Sequence, residues 1–163
     1  RIMGIPDPLT VQVMREFRGL EHRMEHLGAL RGARVINDSK STTPDSLLYA
    51  LQCCQGRVVP IIGGRDKGMD FEVLKKALLQ ERVLGIVLIA DSRQRLRALF
   101  NGTPPIQECG SLNEALRAAM ALAHPGDTIL FSPACASFDM FRNFEERGRA
   151  FKQLVAQYRE QGG

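Results

Sequence analysis

The sequence predicts an α/β domain of three layers, a Rossmann-like arrangement with a mostly parallel sheet of about six strands and helices on both faces. Short apolar runs alternate with amphipathic segments along most of the chain, as strands alternate with helical crossovers in such folds. The run 85–90 is apolar on both faces, which is typical of a buried parallel strand. Polar loops directly follow three of the apolar runs, as at the ligand-binding edge of an open sheet.

The beginning of the chain predicts a helix that belongs to another domain. Apolar residues at every fourth position predict a helix over 9–17, with Asp7-Pro8 as its N-cap and first-turn proline. Since one helix cannot enclose a core, we interpret residues 1–20 as the tail of a preceding domain and residues 21–163 as the domain itself. The chain does not begin with Met, and no long apolar segment follows its start, so we expect a fragment of a longer protein.

The rest of the chain predicts a β-hairpin followed by alternating helices and strands. Two extended runs, 24–30 and 33–38, flank the turn residues Arg31-Gly32. The later elements, in chain order, are a helix at 44–54, a strand at 58–62, a helix after Asp70, a strand at 85–90, a helix after Asp91-Ser92, a strand at 106–108, a helix after Ser111, a strand at 128–131, and a final helix with an apolar stripe through Phe141, Phe144, Gly148, Phe151, Val155 and Tyr158. Pro60 removes a donor from its strand, so we expect an edge strand or a bulge there.

The composition limits the classes of function. The net charge of +4 comes from 22 basic and 18 acidic residues that are mixed along the chain, and there are two Tyr and no Trp, so we expect no nucleic-acid interface. No apolar run approaches the roughly 20 residues of a membrane span. Four cysteines without a C-x-x-C pair are typical of a reduced, cytoplasmic protein. The three histidines lack a metal-ligand spacing, so we expect no metal site in this chain.

Three polar loops form the candidate functional site. They cover residues 37–42 (NDSKST), 63–68 (GGRDKG) and 132–137 (SPACAS), and each follows a run that predicts a strand. The carboxyl ends of parallel strands share one edge of a sheet. We therefore expect the three loops to lie together there.

The side chains of these loops favour the binding of an anion. Lys40 and Lys67 each lie between a strand end and a helix start, where a cation can hold a phosphate or carboxylate beside backbone amides. Asp38 can accept a hydrogen bond from a ribose hydroxyl, and Thr42 and Ser137 offer short hydroxyl donors. The residues alone therefore predict an α/β domain that binds a small molecule bearing phosphate or carboxylate.

Several of these residues also have a purely structural interpretation. Asp38 could pair with Arg34 or with Lys40. Lys67 could be a solvated loop charge, and His22-Arg23 could be a plain linker.

The last loop and the final helix carry similar alternatives. Cys135 lies in a loop, but no histidine near it in sequence could activate it, so we do not expect a nucleophile. Phe144 fits the apolar stripe, which predicts that its side chain lies in the core. Gly148 in the same stripe would let the helix approach a neighbour closely, and the glycines of 63–68 would let backbone approach a ligand.

Four stretches resemble the Mur ligase family, and in particular the C-terminal domain of its D-glutamate-adding member. They are LEHRME at 20–25, NDSKST at 37–42, GGRDKG at 63–68 and SPACASFDMFRNFEERG at 132–148. The first two resemble patterns shared across the family, and the last two are more specific to the D-glutamate-adding member. The resemblance extends over nearly the whole chain, with residues 1–20 matching the end of the family's central ATPase domain.

The resemblance implies an ATP-dependent, amide-forming ligase of peptidoglycan precursor synthesis. ATP would phosphorylate the alanyl carboxylate of UDP-N-acetylmuramoyl-L-alanine, and the amine of D-glutamate would then attack the acyl phosphate and release phosphate. ATP and Mg²⁺ would be held mostly by the central domain, so the N-terminal and central domains of the same protein would be this chain's partners. The chain has no G-x-x-x-x-G-K-[ST] phosphate loop, so we expect it to be inactive alone and to bind ATP weakly or not at all.

The resemblance also assigns residues to the two substrates. His22, Arg23, Asp38 and Lys40 match family positions around the nucleotide. The positions that match the D-glutamate pocket are Thr42, Lys67, Ser137, Phe138 and Phe144. For Phe144 the contact could come through the backbone, which would agree with a core side chain. Two rival hypotheses remain: a non-catalytic module that binds a nucleotide or an acidic metabolite, and a relative of the folate-polyglutamating ligases.

Overall fold

The computed structural model describes residues 7–17, 19–100 and 102–162. The side chain of Asp7, on which the predicted N-cap depends, lies outside the described part. The elements, in chain order, are α1 (Asp7–Glu16), β1 (Glu25–Leu30), β2 (Ala33–Asn37), α2 (Pro44–Cys53), β3 (Val58–Ile62), α3 (Glu72–Leu78), β4 (Ile86–Ile89), α4 (Arg93–Arg97), β5 (Ile106–Cys109), α5 (Leu112–Leu122), β6 (Thr128–Phe131) and α6 (Phe144–Glu160).

The described strands form one sheet in the order β1-β2-β6-β3-β4-β5. β1 and β2 pair antiparallel as the predicted hairpin, with Glu25 opposite Asn37 and Leu30 opposite Ala33. All other neighbouring strands are parallel. The prediction of a mostly parallel sheet of about six strands is therefore confirmed.

Helices cover both faces of the sheet, so the three-layer prediction is also confirmed. Successive side chains of a strand point to opposite faces, and the two sets meet different helices. Ile62 and Leu130 belong to the core under α2, α3 and α4. Ile61 and Phe131 belong to the core under α5 and α6, where the rings of Phe131 and Phe151 stack with centroids 4.3 Å apart.

Pro60 lies in the middle of the sheet, because β3 has β6 on one side and β4 on the other. The expectation of an edge strand is therefore wrong. The pairing of β3 toward β4 is irregular at this point. Val58 bridges Val83, whereas Ile61 pairs with Val87, so β3 advances by three residues while the partner segment advances by four. This one-residue offset lies opposite Pro60, where a proline has no N–H to contribute to the ladder.

The final helix begins at Phe144, whereas the apolar stripe predicted that it includes Phe141. Asn143 caps α6, since its Oδ1 accepts a hydrogen bond from the backbone N–H of Glu146 at 2.7 Å. Phe141 precedes the helix and packs against the same core. This cap places the first turn of α6 close to the loop that follows β6, where Arg147 donates to the carbonyl of Cys135.

The α1 helix forms as predicted, but its apolar residues do not join either core. Leu9, Val13, Met14 and Phe17 are each more than half exposed. Within the described residues, no helix is long and apolar enough to cross a membrane.

Candidate functional site

The three polar loops lie side by side, because β2, β6 and β3 are neighbours and their carboxyl ends share one edge of the sheet. We call this the carboxyl edge. The backbone N–H of Asp38 donates to the carbonyl of Phe131 at 2.7 Å, and that of Gly63 donates to the carbonyl of Pro133 at 2.8 Å. The N–H of Arg65 donates to the carbonyl of Ala136 at 2.9 Å. The expectation that these loops lie together is confirmed.

Two glycines allow this close packing of backbone. Gly63 and Gly64 have φ angles of 125° and 156°. A Cβ on Gly63 would lie 2.1 Å from the carbonyl oxygen of Ile89, and one on Gly64 would lie 2.3 Å from that of Ala136. These glycines therefore allow a close approach of neighbouring backbone, a role that the sequence analysis did not assign to them.

A buried arginine joins the first and third loops from below. Arg147, on α6, is 2% exposed. Its Nε donates to the Oγ of Ser39 at 3.0 Å, one terminal nitrogen donates to the carbonyl of Ser39 at 2.8 Å, and the other donates to the carbonyl of Cys135 at 3.0 Å. Loss of water on burial lowers the pKa of Arg147 to about 10, so the guanidinium stays charged at neutral pH.

Sequence reasoning did not assign a role to Arg147. The residue lies directly before Gly148 in the apolar stripe of the final helix. A charged residue at the boundary of such a stripe usually faces solvent. Only the polar carbonyls of the loops above it make this burial favourable, and those partners are far away in sequence.

A cavity of about 280 Å³ opens above this framework. We call it the Lys67 cavity. The residues that line it are Thr42, Lys67, Ala136, Ser137, Phe138, Asn143, Phe144 and Glu145. All five residues that the resemblance assigned to D-glutamate therefore lie around one cavity, although they come from three loops and the start of α6.

Four of the five polar side chains that line the Lys67 cavity lack a hydrogen-bond or ion-pair partner within the described part of the protein, and the fifth, Asn143, caps α6. Thr42, Ser137 and Glu145 make no side-chain hydrogen bond or ion pair with any described residue, and the Nζ of Lys67 meets only the ring of Phe138, 5.2 Å from its centroid. Ser137 is only 3% exposed. Its hydroxyl is not among the fully buried, unpaired side-chain atoms of the described residues, so it opens to the cavity, where it can donate a hydrogen bond to a ligand.

Phe144 occupies a different position from the one that its place in the stripe predicted. Its side chain is half-buried and lines the Lys67 cavity, so the prediction of a core side chain is wrong. The Nζ of Lys40 lies 4.7 Å from the centroid of its ring, as in a cation–π contact. Its carbonyl accepts a hydrogen bond from the Oγ of Ser39 at 2.8 Å. Phe144 therefore connects the cavity to the first loop.

A second cavity, of about 300 Å³, lies between the first loop and α2. We call it the Asp38 cavity. It is lined by Arg23, Met24, Asp38, Asp45, Ser46, Tyr49 and Ala50. Two of the four residues that the resemblance assigned to a nucleotide, Arg23 and Asp38, therefore lie together there.

The Asp38 carboxylate is held by loop atoms rather than by the cations considered from the sequence. Its oxygens accept from the backbone N–H of Met24 at 3.1 Å and from the Oγ of Ser132 at 2.8 Å. Arg34 instead donates to a backbone carbonyl, and Lys40 lies over Phe144, so both structural pairings are wrong. Burial raises the pKa of Asp38, while the two hydrogen bonds and the nearby Arg23 oppose that rise.

His22 lies apart from both cavities. Its side chain is 2% exposed, and its Nδ1 is 3.0 Å from the Nδ2 of Asn37. A Cβ on Gly148 would lie 2.3 Å from the same ring, so the predicted close approach at Gly148 is confirmed, with His22 as the neighbour. Desolvation lowers the pKa of His22 against the opposing effect of Glu21 and Glu25. The Nδ1 of the ring contacts Asn37 at the end of β2, while its Nε2 is buried without a hydrogen-bond partner among the described residues.

Cys135 is a structural thiol. It is fully buried, and its Sγ lies 3.5 Å from the Oγ of Ser92. Burial raises its pKa to about 11, so the thiol stays protonated at neutral pH, in line with the expectation that it is not a nucleophile. Ser92 also accepts from the N–H of Gly64 at 3.1 Å and does not cap α4 with its side chain.

Neither cavity contains the acidic, histidine or cysteine cluster that a metal ion requires, and none occurs elsewhere in the described part of the chain. The Asp38 cavity is lined by two carboxylates, that of Asp38, whose oxygens are already hydrogen-bonded, and that of Asp45. These carboxylates can accept hydrogen bonds from hydroxyl groups, and Arg23 can pair with a phosphate.

The fold is an α/β domain with two cavities at the carboxyl edge of a mostly parallel sheet. The sequence profile of the family described as "Mur ligase, glutamate ligase domain" matches residues 22–135. The chain belongs to this family, which confirms the resemblance seen in the sequence.

Curated relatives named UDP-N-acetylmuramoylalanine–D-glutamate ligase match almost the whole chain. The ligase of Chlorobium phaeobacteroides is 42% identical over 159 residues, which is 98% of this chain and 34% of the relative. The ligase of Aquifex aeolicus is 44% identical over 94% of this chain and 37% of the relative. The ligase of Chlorobaculum tepidum is 48% identical over 93% of this chain and 32% of the relative. The chain thus spans about a third of the length of the curated relatives it matches.

Three solved structures share the fold of this chain. The UDP-N-acetylmuramate–alanine ligase of Thermotoga maritima superposes with a TM-score of 0.68 at 18% identity, over 98% of this chain and 35% of its own. The MurF ligase of the same organism, in complex with ADP, superposes with a TM-score of 0.64 at 12% identity, over 94% of this chain and 38% of its own. The FolC protein of E. coli, also with ADP, superposes with a TM-score of 0.57 at 22% identity, over 88% of this chain and 33% of its own. At these identities the likeness shows the fold alone.

Proposed function

We propose that this chain is the amino acid-binding domain of an ATP-dependent ligase that joins D-glutamate to UDP-N-acetylmuramoyl-L-alanine in peptidoglycan precursor synthesis. The observation that carries the proposal is the Lys67 cavity, where a lysine and two hydroxyl groups face open space without partners among the described residues. The names of the relatives at 42–48% identity support the choice of substrate.

The Lys67 cavity suits a small dicarboxylate. The ammonium of Lys67 would bind one carboxylate in a charge-assisted hydrogen bond, which is stronger than a neutral one. The hydroxyls of Thr42 and Ser137 would donate to carboxylate oxygens. The N–H groups of Phe144 and Glu145, in the first turn of α6, have no acceptor among the described residues and could serve the same ligand.

The Asp38 cavity and the neighbouring Lys40 would face the nucleotide. Asp38 would accept from a ribose hydroxyl, and Arg23 and Lys40 would offset phosphate charge. ATP would supply the phosphoryl group that activates the carboxylate of the UDP-sugar substrate, and the residues of this chain would hold the amino acid for attack. Mg²⁺ would be held mostly by the central domain of the enzyme, as the family resemblance implies.

The first loop would then be the boundary between the two substrates. Asp38 and Lys40 lie toward the nucleotide side, and Thr42 lies in the Lys67 cavity. The two cavities are separated by only a few residues of chain. A shift of this loop would therefore change both sites together.

The whole enzyme would need further domains. The exposed apolar residues of α1 suit packing against a preceding domain, which agrees with the interpretation of residues 1–20 as a tail. The N-terminal and central domains of the same protein would supply the phosphate loop and the site for the UDP-sugar. We propose a cytoplasmic location, because all four cysteines are free thiols.

The rival folate-polyglutamating function has weaker support. FolC shares the fold at 22% identity, whereas the D-glutamate ligases share 42–48% identity over nearly the whole chain. A non-catalytic binding module would explain the cavities, but it would not explain this similarity to ligases.

The proposal is tested by titrating the chain with D-glutamate and following backbone amide signals by NMR. Lys67→Ala should weaken binding by about tenfold or more, because a charge-assisted hydrogen bond is lost. Lys76→Ala is the matched control, since Lys76 is an exposed lysine on α3 away from the cavity, and it should bind as the parent chain does. Equal affinity in the Lys67→Ala variant, or a preference for L-glutamate, would contradict the assignment.

A further inference from the structure

The Lys67 cavity has an acidic wall that a simple dicarboxylate site would not have. Glu145 lines the cavity together with Lys67, Thr42 and Ser137. It is half-buried, and it has no hydrogen bond or ion pair with any described residue. A carboxylate in this position repels a dicarboxylate ligand unless the ligand also carries a positive charge.

The adjacent residue shows what a structural acid in this turn does. Glu146 is also in the first turn of α6, and its Oε2 accepts a hydrogen bond from the N–H of Arg142 at 2.8 Å, while its Oε1 lies 3.7 Å from the Arg142 guanidinium. Its own N–H is satisfied by Asn143. Glu146 therefore completes the cap of the helix, and Glu145 has no part in that cap.

Ser137 provides a second observation at the same wall, because its unpaired hydroxyl opens to the cavity. The side chain is 3% exposed and lacks a partner among the described residues, although it borders the cavity. One cation, one anion and two hydroxyl groups thus surround a volume of about 280 Å³, which is enough for an amino acid of this size. This pattern of charges is complementary to a molecule with two carboxylates and one ammonium group.

We propose that Glu145 is the residue that recognises the α-ammonium group of the acidic amino acid. The inference rests on the proposed function and extends it from a carboxylate-binding cavity to one that selects an amino acid over a plain diacid. Lys67 and the hydroxyls bind the carboxylates, and Glu145 binds the ammonium. The site therefore recognises the amine before that amine reacts.

The test compares D-glutamate with glutarate, which has the same five-carbon dicarboxylate chain but no amine. Binding of both is measured by NMR titration of the parent chain and of three variants, Glu145→Gln, Glu145→Lys and the matched control Glu146→Gln. Glu145→Gln should weaken D-glutamate binding by about tenfold and leave glutarate binding unchanged or tighter. Glu145→Lys should reverse the order, so that glutarate binds more tightly than D-glutamate.

The control separates recognition from helix stability. Glu146→Gln should leave the ratio of the two affinities within about twofold of the parent value, even if it lowers the midpoint of unfolding. Equal losses for both ligands in Glu145→Gln, or no loss for D-glutamate, would overturn the inference about Glu145. If Lys67→Ala weakens both ligands while Glu145→Gln changes neither, the proposed function stands and only this inference fails. If the parent chain binds neither ligand, both fail together.

Discussion

The polar side chains at the two edges of the central sheet differ in how far they are hydrogen-bonded within the protein. At the amino edge, Asp127 accepts from the Nε of Arg57 at 2.9 Å and from the N–H of His124 at 2.8 Å. Arg82 donates to the carbonyls of Leu51 and of Cys54 at the end of α2. These polar groups are satisfied within the protein, so this edge has a structural role.

At the carboxyl edge the polar groups form two layers. The lower layer, around Arg147 and Ser39, is buried and paired. The upper layer, around Lys67, Ser137 and Glu145, lines a cavity and is unpaired among the described residues. The contrast shows that the number of polar residues does not locate a site, since both edges have many. The candidate site is distinguished instead by unpaired polar side chains that open to a cavity, because the fully buried atoms without partners among the described residues, His22 Nε2 and Thr128 Oγ1, lie outside that cavity.

The largest effect is expected from breaking the lower layer of the carboxyl edge. Arg147→Met removes the donors to the carbonyls of Ser39 and Cys135 and leaves them buried without partners, so it should lower the free energy of unfolding by about 4 kcal/mol. Denaturant unfolding measures this loss. Arg142→Met is the control, because Arg142 is 90% exposed, and it should cost less than about 0.5 kcal/mol. Similar small losses in both variants would show that the buried guanidinium does not hold the loops.

The next effect concerns the backbone contact between the second and third loops. Gly64→Ala would place a methyl group 2.3 Å from the carbonyl of Ala136, so we expect a loss of about 3 kcal/mol and impaired D-glutamate binding. Gly56 also has a positive φ, of 72°, but a methyl group there would meet no atom within 4 Å beyond its chain neighbours. Gly56→Ala should therefore cost only about 1 kcal/mol, from backbone strain alone. Equal costs, measured by denaturant unfolding, would mean that the loops separate readily.

A smaller effect should distinguish the amino edge from the carboxyl edge. Arg82→Met leaves the carbonyls at the end of α2 to water, so it should cost about 1.5 kcal/mol of stability. Binding of D-glutamate, followed by NMR titration, should not change, because Arg82 lies at the opposite edge of the sheet. A clear change in affinity would mean that the two edges are coupled.

The smallest effect is a dependence on pH. Because the pKa of His22 is lowered in the folded chain, the unfolded chain binds its proton more readily, and stability should fall as the pH drops below about 6.5. Denaturant unfolding between pH 7.5 and pH 5 measures this slope, and His22→Gln should flatten it. The carboxylates Glu21 and Glu25 also have lowered pKa values, but their effect appears only near and below their ordinary pKa of 4.5. An unchanged slope in the variant would exclude His22 as the source.

Much of the fold could be predicted because its signals are local. The apolar runs, the hairpin turn and the helix that begins at Pro44 depend on residues close together in sequence. The convergence of three loops followed from the parallel sheet alone. These features needed no knowledge of distant contacts.

The features that could not be predicted depend on contacts between distant residues. Pro60 lies in a central strand because the pairing toward β4 is offset at that point, which no local pattern shows. The burial of Arg147 depends on carbonyls that are 12 and 108 residues away. Phe144 lines the cavity because α6 begins there, at the Asn143 cap, rather than before Phe141. Glu145 resembles an ordinary first-turn acid in the sequence, and only the cavity beside it distinguishes it.

The proposed role of the carboxyl edge is that its unpaired upper layer binds an acidic amino acid. An NMR titration of the isotope-labelled chain with D-glutamate, with the shifted amides mapped on the sequence, tests this role without any substitution. We predict saturable shifts at Thr42, Lys67, Ser137 and the first turn of α6, and none at Arg57 or Asp127. Saturable shifts confined to other regions, or no saturable shift at the Lys67 cavity, would contradict this role.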